Sequence, residues 1–398
     1  MLLLAKHVAL YGILVIGMTY VIITGGIDLS IGAIVRLAGI IAGSMIQNCV
    51  TLQSMGVMLY FSVPLVVLIT IICGATVGLI NGAISSFYYR SGGFNMKIAV
   101  IGSTNIDVVS YIDKIPAGGE TRAAQNFHTA HGGKGANQAV AAAKLGAEVL
   151  MVSAIGNDLF GKGALENFKK NKIDTSRISV IEDVATGEAT IIVEASGQNR
   201  ILLYKGANDK LTPELVLQAA DDLKACGMIV LQLEIPLETV YAAIDFANAN
   251  KIPVLLNPAP AVKNLSIDMA CKCDFFVPNE TELGILTGMP VGSREKIKTA
   301  AQSLLAKGLK NVIVTMGSKG ALWLSSDREE FVPARKVQAV DSTGAGDSFI
   351  GCFVEHYTKT ADVLESVKRA SLYATLSVTK KGTQDSYATV EEFKDFCR

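Results

Sequence analysis

The sequence predicts an α/β fold with a mostly parallel sheet, preceded by a hydrophobic all-α transmembrane segment of about two to three spans. Three observations lead to this prediction. From residue 96 onward, apolar runs of strand length alternate with amphipathic helical patterns. Two further segments have β patterns outside this alternation and predict a small β lid. Before residue 96 the chain is almost entirely apolar.

The first ninety residues have the composition of membrane-spanning helices. Residues 1–95 contain only four charged side chains: Lys6, Asp28, Arg36 and Arg90. The uncharged stretches Val8–Ile27 and Val57–Ile80 are each long enough to cross about 30 Å of hydrocarbon as helices. Ile31–Val50 carries Arg36, so it is either a third span or a re-entrant or interfacial segment. Residues 1–90 are therefore expected to contact membrane lipid.

Residues 17–43, "GMTYVIITGGIDLSIGAIVRLAGIIAG", resemble the permease subunit of bacterial sugar ABC importers of the ribose type. Because such permeases have many more spans, residues 1–90 represent a fragment. Two explanations remain open: a true membrane anchor, or a fusion of neighbouring sugar-operon pieces, by rearrangement or faulty gene prediction, which we favour. Ser91–Asn95 has the composition of a short linker, and Met96 is suited to start a second domain, residues 96–398.

In the second domain, six apolar runs predict buried strands, in order "MKIAVIGS", "EVLMVSAIG", "MIVLQLE", "PVLLNPAP", "FFVPNE" and "NVIVTMGS". Thr212–Cys226 and Arg294–Lys307 predict amphipathic helices between them. Ligands of such sheets bind beyond the carboxyl ends of the strands. The predicted lid consists of "ETRAAQNFHTAHGG", which contains His128 and His131, and a hairpin turning at 196–199. This lid would also pair with a second copy in a homodimer.

Composition excludes some functions. The 36 basic and 36 acidic residues balance, which argues against a nucleic-acid partner. The seven cysteines are scattered, and Cys271 and Cys273 are too close together for the usual zinc knuckle. Free thiols in a reducing compartment are the expected state.

The segment "VDSTGAGDSF", residues 340–349, is typical of a phosphate site, whereas "GGKGAN" lacks the spacing of a Walker A motif. Gly344, Ala345 and Gly346 have little or no side chain and precede a predicted helix, so their N–H groups can approach an anion. Asp347 would then take the proton of a hydroxyl that attacks a phosphate. Alone, the motif is equally compatible with a helix N-cap at a tight turn.

The wider context resembles the ribokinase-like (PfkB) family of carbohydrate kinases over essentially all of residues 96–398. "GGKGANQAVAAAKLGA" and "VDSTGAGDSFIG" are similar to the two family signatures, and "PNETE" to its magnesium and phosphate segment. "NPAPA" and "AGGETRAAQNFHTAHGGKGANQA", residues 117–139, are most similar to the ribose-specific branch of the family. The resemblance implies a three-layer α/β/α fold and ATP-dependent phosphorylation of D-ribose at the 5-hydroxyl.

The resemblance also implies roles for individual residues. Asp347 would be the catalytic base, next to an anion hole formed by Gly344, Ala345 and Gly346. The sugar would be bound by Asn105, Asp107, Gly132, Gly133, Lys134, Asn137, Glu234 and Asp347. ATP would be bound by Asn279, Glu282, Thr315, Gly317, Ser318, Gly320, Gly346 and Ser371. Taken alone, each sugar-binding candidate is more simply read as a polar loop residue, a reading that the whole set together argues against. Asn279 and Glu282 have the alternative reading of an exposed acidic helix start.

The family's cofactors are Mg²⁺, held through water by Glu282, and K⁺ as a monovalent activator. The implied potassium ligands are Asp341, Thr343, Ser377, Lys380, Gly382 and Ser386. Leu372 and Tyr373 depart from the small polar residues usual beside the adenine.

Three alternatives stay open: another sugar or nucleoside kinase, for deoxyribose, fructose or a nucleoside; a sugar-transport component with a passenger kinase; and a membrane scaffold. ATP and K⁺ imply a cytoplasmic kinase domain, membrane-associated if residues 1–95 belong to the expressed chain. Arg90, at the end of the last predicted span, gives weak support for that orientation.

Overall fold

The structure is a computed structural model that describes residues 50–52, 57–59, 96–196 and 198–398. The chain divides into two compact units, Met1–Gly93 and Phe94–Arg398. In the first unit the described residues form two short antiparallel strands, β1 (Val50–Leu52) and β2 (Val57–Leu59).

Most of the predicted membrane segment lies outside the described residues. The predicted spans meet them only at Val50 and at Val57–Leu59, where the backbone is extended and pairs across a sheet. The all-α prediction is wrong at these positions. Within the described ranges, no helix combines the length and the apolar character needed to cross a bilayer.

The second unit contains thirteen strands among its described residues. They are β3 (Lys97–Ile101), β4 (Asn105–Ile112), β5 (Asn126–Gly132), β6 (Val149–Gly156), β7 (Asp174–Ile181), β8 (Gly187–Glu194), β9 (Asn199–Tyr204), β10 (Cys226–Leu231), β11 (Val254–Leu256), β12 (Phe275–Phe276), β13 (Asn311–Thr315), β14 (Gly320–Ser325) and β15 (Glu329–Pro333).

The same unit contains these helices: α1 (Lys134–Lys144), α2 (Leu159–Lys170), α3 (Pro213–Leu217), α4 (Ala220–Lys224), α5 (Leu237–Ala249), α6 (Ile267–Ala270), α7 (Glu280–Thr287), α8 (Arg294–Leu305), α9 (Ala345–Thr360), α10 (Val363–Ser377) and α11 (Val390–Cys397). Short 3-10 helices lie at Gly206–Lys210, Gly317–Lys319 and Gln384–Ser386.

The main sheet has nine strands in the order β15-β14-β13-β12-β11-β10-β3-β6-β7. The strand pairs from β7 to β13 are parallel, and β14 and β15 are antiparallel additions at one edge. All six predicted strands are present. The predicted helix Thr212–Cys226 is interrupted: it forms α3 and α4, and its last residue begins β10.

The core lies on both faces of this sheet because successive residues of a strand point to opposite sides. On β3, Ile98 and Val100 belong to the core cluster that includes residues of α1, α2, α9, α10 and α11. Ala99 and Ile101 belong to the other cluster, which includes residues of α3 to α8. The predicted three-layer α/β/α arrangement is therefore confirmed.

The lid is a separate four-stranded sheet in the order β5-β4-β8-β9. Strands β4 and β8 pair in parallel, whereas β5 and β9 are antiparallel edges. The predicted hairpin is the β8–β9 pair, and His128 and His131 lie on β5 as expected. The lid joins the main sheet at β4, which starts a few residues after β3 ends.

Candidate active site

Asp347 lies in the first turn of α9, and its carboxylate is buried, with 7% of its surface exposed. Its Oδ2 accepts a hydrogen bond from Asn137 Nδ2 at 3.0 Å, and its Oδ1 accepts one from Gln138 Nε2 at 3.0 Å. The N-cap residue of α9 is Gly344, which makes no side-chain capping bond. Asp347 is therefore not a helix cap; it connects α9 to the start of α1.

The backbone before Asp347 requires glycine at one position and leaves space at another. Gly344 has φ 72°, and a Cβ there would lie 2.4 Å from Thr383 Cγ2 and 2.6 Å from Tyr387 Oη. A Cβ on Gly346 would meet nothing within 4 Å, so open space borders the helix N-terminus. The Ala345 N–H donates to Ser342 O at 3.3 Å. Among the described residues, none accepts from the N–H groups of Gly346 and Asp347.

The three N–H groups of the predicted anion hole differ in their hydrogen bonding, and the anion hole itself stays a prediction. Ala345 is partly engaged within its own turn, whereas the N–H groups of Gly346 and Asp347 are at the positive end of a 16-residue helix.

The predicted sugar-binding residues converge near Asp347. Lys134, at the start of α1, donates its N–H to Glu234 Oε2 at 3.0 Å, and Ser103 Oγ donates to the same oxygen at 2.6 Å. A Cβ on Gly132 would lie 2.4 Å from Asp107 Oδ1, and one on Gly133 would lie 2.7 Å from the Asn105 N. These glycines allow β4, β5 and the start of α1 to approach closely.

Asn105 is held by Asn208, which lies in a 3-10 helix after the lid. The Asn208 Nδ2 donates to Asn105 Oδ1 at 2.7 Å. Asn105 is 4% exposed, and no described residue accepts from its Nδ2. The two N–H groups of this buried amide are therefore available to a ligand hydroxyl.

The charges of several carboxylates and of the Lys134 ammonium affect one another's pKa in this region. Burial raises the pKa of Asp107 to about 6, with further contributions from the charges of Glu234 and Asp347. Burial also raises the pKa of Asp347, although the Lys134 charge and the two amide N–H groups oppose it. For Lys134, burial lowers the pKa, but the charges of Asp347, Glu234 and Glu282 outweigh it and raise the pKa overall.

Asn279 and Glu282 form a capping box at the start of α7, which matches the alternative reading of this motif. Asn279 Oδ1 accepts from the Glu282 N–H at 2.8 Å, and Glu282 Oε2 accepts from the Asn279 N–H at 2.8 Å. Burial nevertheless raises the pKa of Glu282, and the charges of Lys134 and Asp347 act on it. No described residue hydrogen-bonds its second oxygen, Oε1.

The other predicted ATP-binding residues lie either at and just beyond the end of β13 or within β14 and α10. Thr315 ends β13 and bridges to Asn279, and Gly317 and Ser318 lie exposed just beyond it. Gly320 begins β14, where a Cβ would lie 2.0 Å from Val332 O, so this glycine serves sheet packing. Ser371 is buried on α10. Its neighbour Tyr373 is fully buried and donates to Ala388 O at 2.7 Å, so it belongs to the core.

Three of the six predicted potassium ligands are directly connected. Asp341 Oδ1 accepts from the Thr343 N–H at 2.9 Å, and Asp341 Oδ2 accepts from the Gly382 N–H at 3.0 Å. Ser377 Oγ lies 3.1 Å from the Oγ of Ser348, the residue after Asp347. Ser386 and Lys380 point elsewhere: Ser386 Oγ donates to Thr383 O, and the Lys380 ammonium pairs with Glu392 at 2.8 Å.

Sequence reasoning missed Ser103, Asn208 and Gln138, all of which bond to predicted site residues. Gln138 directly follows Asn137 in the first family signature, and Ser103 ends the first predicted strand, two residues before Asn105. The histidines are not part of the site's hydrogen bonding: His128 stacks on Tyr111 with ring centroids 5.8 Å apart, and burial lowers the pKa of His131.

Comparison with known proteins places these features in a family. Residues 95–390 match the family described as pfkB family carbohydrate kinase. Residues 1–121 match the family described as a branched-chain amino acid transport system / permease component, in line with the permease-like fragment.

Among curated proteins, the deoxyribokinase of Salmonella typhi is 53% identical over 301 residues, covering 76% of this chain and 98% of that protein. The ribokinase of Haemophilus influenzae is 39% identical over 299 residues, covering 75% of this chain and 97% of that protein. Among solved structures, Arabidopsis thaliana ribokinase complexed with ribose and ATP has a TM-score of 0.73 at 30% identity, covering 76% of this chain and 99% of that one. Thermotoga maritima ribokinase has a TM-score of 0.70 at 36% identity, with coverage of 76% and 99%.

Proposed function

The chain belongs to the pfkB family of carbohydrate kinases, and from this premise we propose that it transfers the γ-phosphoryl group of ATP to the 5-hydroxyl of a pentose. One observation carries the proposal: the buried Asp347 carboxylate lies at the N-terminus of α9 and is held by amides at the start of α1. This brings a base, an anion-binding helix end and the sugar-side residues into one place.

The residues of the site divide the chemistry between them. Asp347 accepts the proton of the attacking hydroxyl, and the Gly346 and Asp347 N–H groups stabilise the charge on the transferring phosphoryl group. The Lys134 ammonium adds positive charge on the sugar side. Asn105, Asp107 and Glu234 bind and orient the sugar, and positioning supplies much of the rate in phosphoryl transfer.

Family members in general use ATP with Mg²⁺, and Glu282 would hold this ion through water. Among the described residues, no three His, Cys, Asp or Glu side chains are grouped as metal ligands. Glu282 fits a role through water, since its Oε1 is unpaired and its pKa is raised by burial near the site. When bound, Mg²⁺ neutralises phosphate charge that the protein's own N–H groups and Lys134 neutralise only in part.

Two pentoses compete as the substrate. Deoxyribose is favoured by identity, 53% to a deoxyribokinase against 39% to a ribokinase. D-ribose, which the sequence motifs predict, is supported by Asn105 Nδ2, from which no described residue accepts a hydrogen bond, because a site that bonds a sugar hydroxyl rejects the sugar that lacks it. We propose deoxyribose as the preferred substrate and D-ribose as the second candidate.

A kinetic panel with the full-length chain separates these. ADP release is measured with deoxyribose, D-ribose, fructose and a nucleoside, and kcat/KM is compared. If the site hydrogen-bonds the 2-hydroxyl, kcat/KM for D-ribose should exceed that for deoxyribose by about 10⁴-fold. If the site does not bond this hydroxyl, the two kcat/KM values should differ by only about 10–200-fold. Activity with neither pentose would exclude the proposed substrate class, and sugar uptake by vesicles carrying this chain alone would support the transport alternative.

We also propose a K⁺ site beside the N-terminus of α9, in the loop pair joined by Asp341, Thr343 and Gly382. The pKa of Asp341 is lowered, because the Thr343 and Gly382 donors outweigh its burial, so a negative oxygen is present there. Oxygen groups fit a monovalent cation, although Lys380 would contribute only its carbonyl. Activity in KCl should exceed that in NaCl of equal ionic strength, and Asp341→Ala should remove the difference.

A homodimer through the β lid is a further proposal. All six residues of β9 are exposed, including Ile201 and Leu203 on one face, and Phe127 on β5 is 58% exposed. Exposed apolar side chains on an edge strand favour pairing with another copy. Sedimentation should give a dimer for the full chain and a monomer for Leu203→Lys; a monomeric parent chain would exclude the proposal.

The location of the enzyme also remains a proposal, a cytoplasmic kinase domain with membrane association if residues 1–95 are expressed. Pentose-dependent ATP consumption is measured in washed membranes and in the soluble fraction of cells expressing the native gene. Activity with the membranes, in a 42.1 kDa chain, would indicate a tethered kinase. Soluble activity in a chain that starts near Met96 would support the fusion or gene-prediction explanation.

A further inference from the structure

Behind Asp347 lies a row of three buried side-chain amides that no catalytic role above explains. Gln138 is 1% exposed, Gln232 is fully buried, and Asn257 is 7% exposed. They come from α1 and from the carboxyl ends of β10 and β11. Of the three, only Gln138 contacts Asp347.

The backbone carbonyl of Val277, at one end of the row, determines the orientation of the amides. Val277 O can only accept, so Asn257 presents Nδ2 to it, at 2.8 Å, and turns Oδ1 toward Gln138. Because that oxygen also only accepts, Gln138 must present Nε2 to it, at 3.2 Å. The second N–H of Gln138 Nε2 then reaches Asp347 Oδ1 at 3.0 Å.

The third amide, Gln232, completes the row but leaves one of its own polar atoms without a hydrogen bond. Gln232 Nε2 donates to Gln138 Oε1 at 2.7 Å, so this oxygen is satisfied. Gln232 Oε1 is buried and has no hydrogen-bond partner among the described residues. A Cβ on Gly102 would lie only 1.9 Å from it, so a glycine makes room for the unpaired oxygen. An unpaired buried oxygen is destabilising, so stability alone does not account for an amide at this position.

The row has a consequence for Asp347. Amides that can only donate to it favour its ionised form, which accepts on both oxygens, over the protonated form. Asn137 holds the other oxygen and is itself held by Gln384 Nε2 at 2.9 Å. The ionisable groups that face the carboxylate are Lys134, Asp107, Glu234, Glu282 and Tyr387.

We propose that Gln138 is a positioning residue for the base, and that Asn257 and Gln232 fix Gln138 in the single orientation that donates to Asp347. The proposal rests on the proposed function, because it assumes that Asp347 is the base. Asn257 is separated from the Asp347 carboxylate by two hydrogen bonds, so any effect of Asn257 on Asp347 must pass through Gln138.

The test uses Asn257→Leu, which removes the amide that accepts from Gln138 and that makes no hydrogen bond to Asp347. Asn311→Leu is the matched control: Asn311 Nδ2 donates to Asp274 O at 3.0 Å and its Oδ1 accepts from Trp323 Nε1 at 3.0 Å, at the amino end of β13. In the full-length chain we expect Asn257→Leu to lower kcat about tenfold, leave the pentose KM within about threefold, and move the acid limb of the kcat profile upward by about half a pH unit or more.

Gln138→Met is the second variant, in case Asn257→Leu does not fold, and should give the same pattern with a larger loss. Each substitution is also made in Asp347→Asn, where no base remains to be positioned and we expect no further loss of kcat. A pH profile for Asn257→Leu like that of Asn311→Leu would overturn the proposal. Equal losses in the wild-type and Asp347→Asn backgrounds would show a merely structural role and overturn it too. Full activity of Asp347→Asn itself would instead overturn the proposed base, and the inference with it.

Discussion

Replacing Asp347 by asparagine removes the proposed base while nearly preserving its shape. Both carboxylate oxygens accept hydrogen bonds, from Asn137 Nδ2 and from Gln138 Nε2. The new amide has one oxygen and one NH₂ group, so its NH₂ must face one of these two donors. One hydrogen bond is lost, which lowers the free energy of unfolding by about 1–3 kcal/mol, and removal of a buried negative charge offsets part of that loss.

The expected loss of rate is larger than this structural change. A general base contributes about 10²–10⁴ in rate, or about 2.7–5.4 kcal/mol of transition-state stabilisation. The proposed sugar-binding residues Asn105, Asp107 and Glu234 are unchanged, so the pentose KM should stay within about fivefold. The loss should therefore appear almost entirely in kcat.

The assay is ADP release at saturating ATP and pentose, with thermal melting measured on the same preparations. Asp347→Ala serves as a second variant, because alanine lacks the base but brings no NH₂ group against the donors of Asn137 and Gln138. Similar kcat losses in both variants would tie the effect to the missing base. A folded Asp347→Asn enzyme with kcat within about threefold of wild type would refute the reasoning, because no other described carboxylate lies between those two amides.

Three further predictions concern single substitutions at Gly346, Gly344 and Asp107. Gly346→Ala should melt at or slightly above the wild-type temperature, because its Cβ meets nothing within 4 Å and alanine raises the free energy of unfolding by up to about 1 kcal/mol through helix propensity. Its kcat should fall about tenfold, because the methyl group enters the proposed anion hole. An unchanged kcat would place the phosphate elsewhere. Gly344→Ala should lower the melting temperature instead, since its φ is 72° and its Cβ would lie 2.4 Å from Thr383. Burial raises the pKa of Asp107 in the folded state to about 6, from an ordinary value of 3.8, so the folded state holds the proton more tightly and stability falls as pH rises from about 4 to 6. Asp107→Asn should therefore gain up to about 3 kcal/mol in urea unfolding at pH 8 and almost nothing at pH 4, while its pentose KM rises; an equal effect at both pH values would contradict the shifted pKa.

The parts of the fold and site that could be predicted from the sequence are encoded locally. Buried strands such as β3 and β6 appear as apolar runs because both faces of a parallel sheet are covered. Gly344, Gly346 and Asp347 lie within four consecutive residues at a helix start, so their proximity needs no tertiary information. The lid hairpin is similarly local, with β8 and β9 separated by one short turn.

Other predictions were ambiguous because one local pattern serves two roles. Asn279 and Glu282 read as a helix start or as a phosphate-side pair, and the structure supports the first role directly, with Glu282 also facing Lys134 and Asp347. Tyr373 read as a departure beside the adenine, but the period of α10 turns it into the core against Phe393. Only the packing of α10 against its neighbours decides which face Tyr373 occupies.

The row of three buried amides, Gln138, Gln232 and Asn257, could not be predicted because its hydrogen bonds join residues distant in sequence. Gln138 and Asn257 are 119 residues apart, and Gln138 and Asp347 are 209 apart. A glutamine in α1 carries no signal of which end of its amide faces a given neighbour, since the two ends are alike in shape. Here the direction comes from Val277 O, a backbone atom that any residue at that position would supply. The proposed base, if held this way, depends on the register of β11 and β12 against α1, so substitutions that shift these strands should slow the reaction without changing any proposed sugar-binding residue.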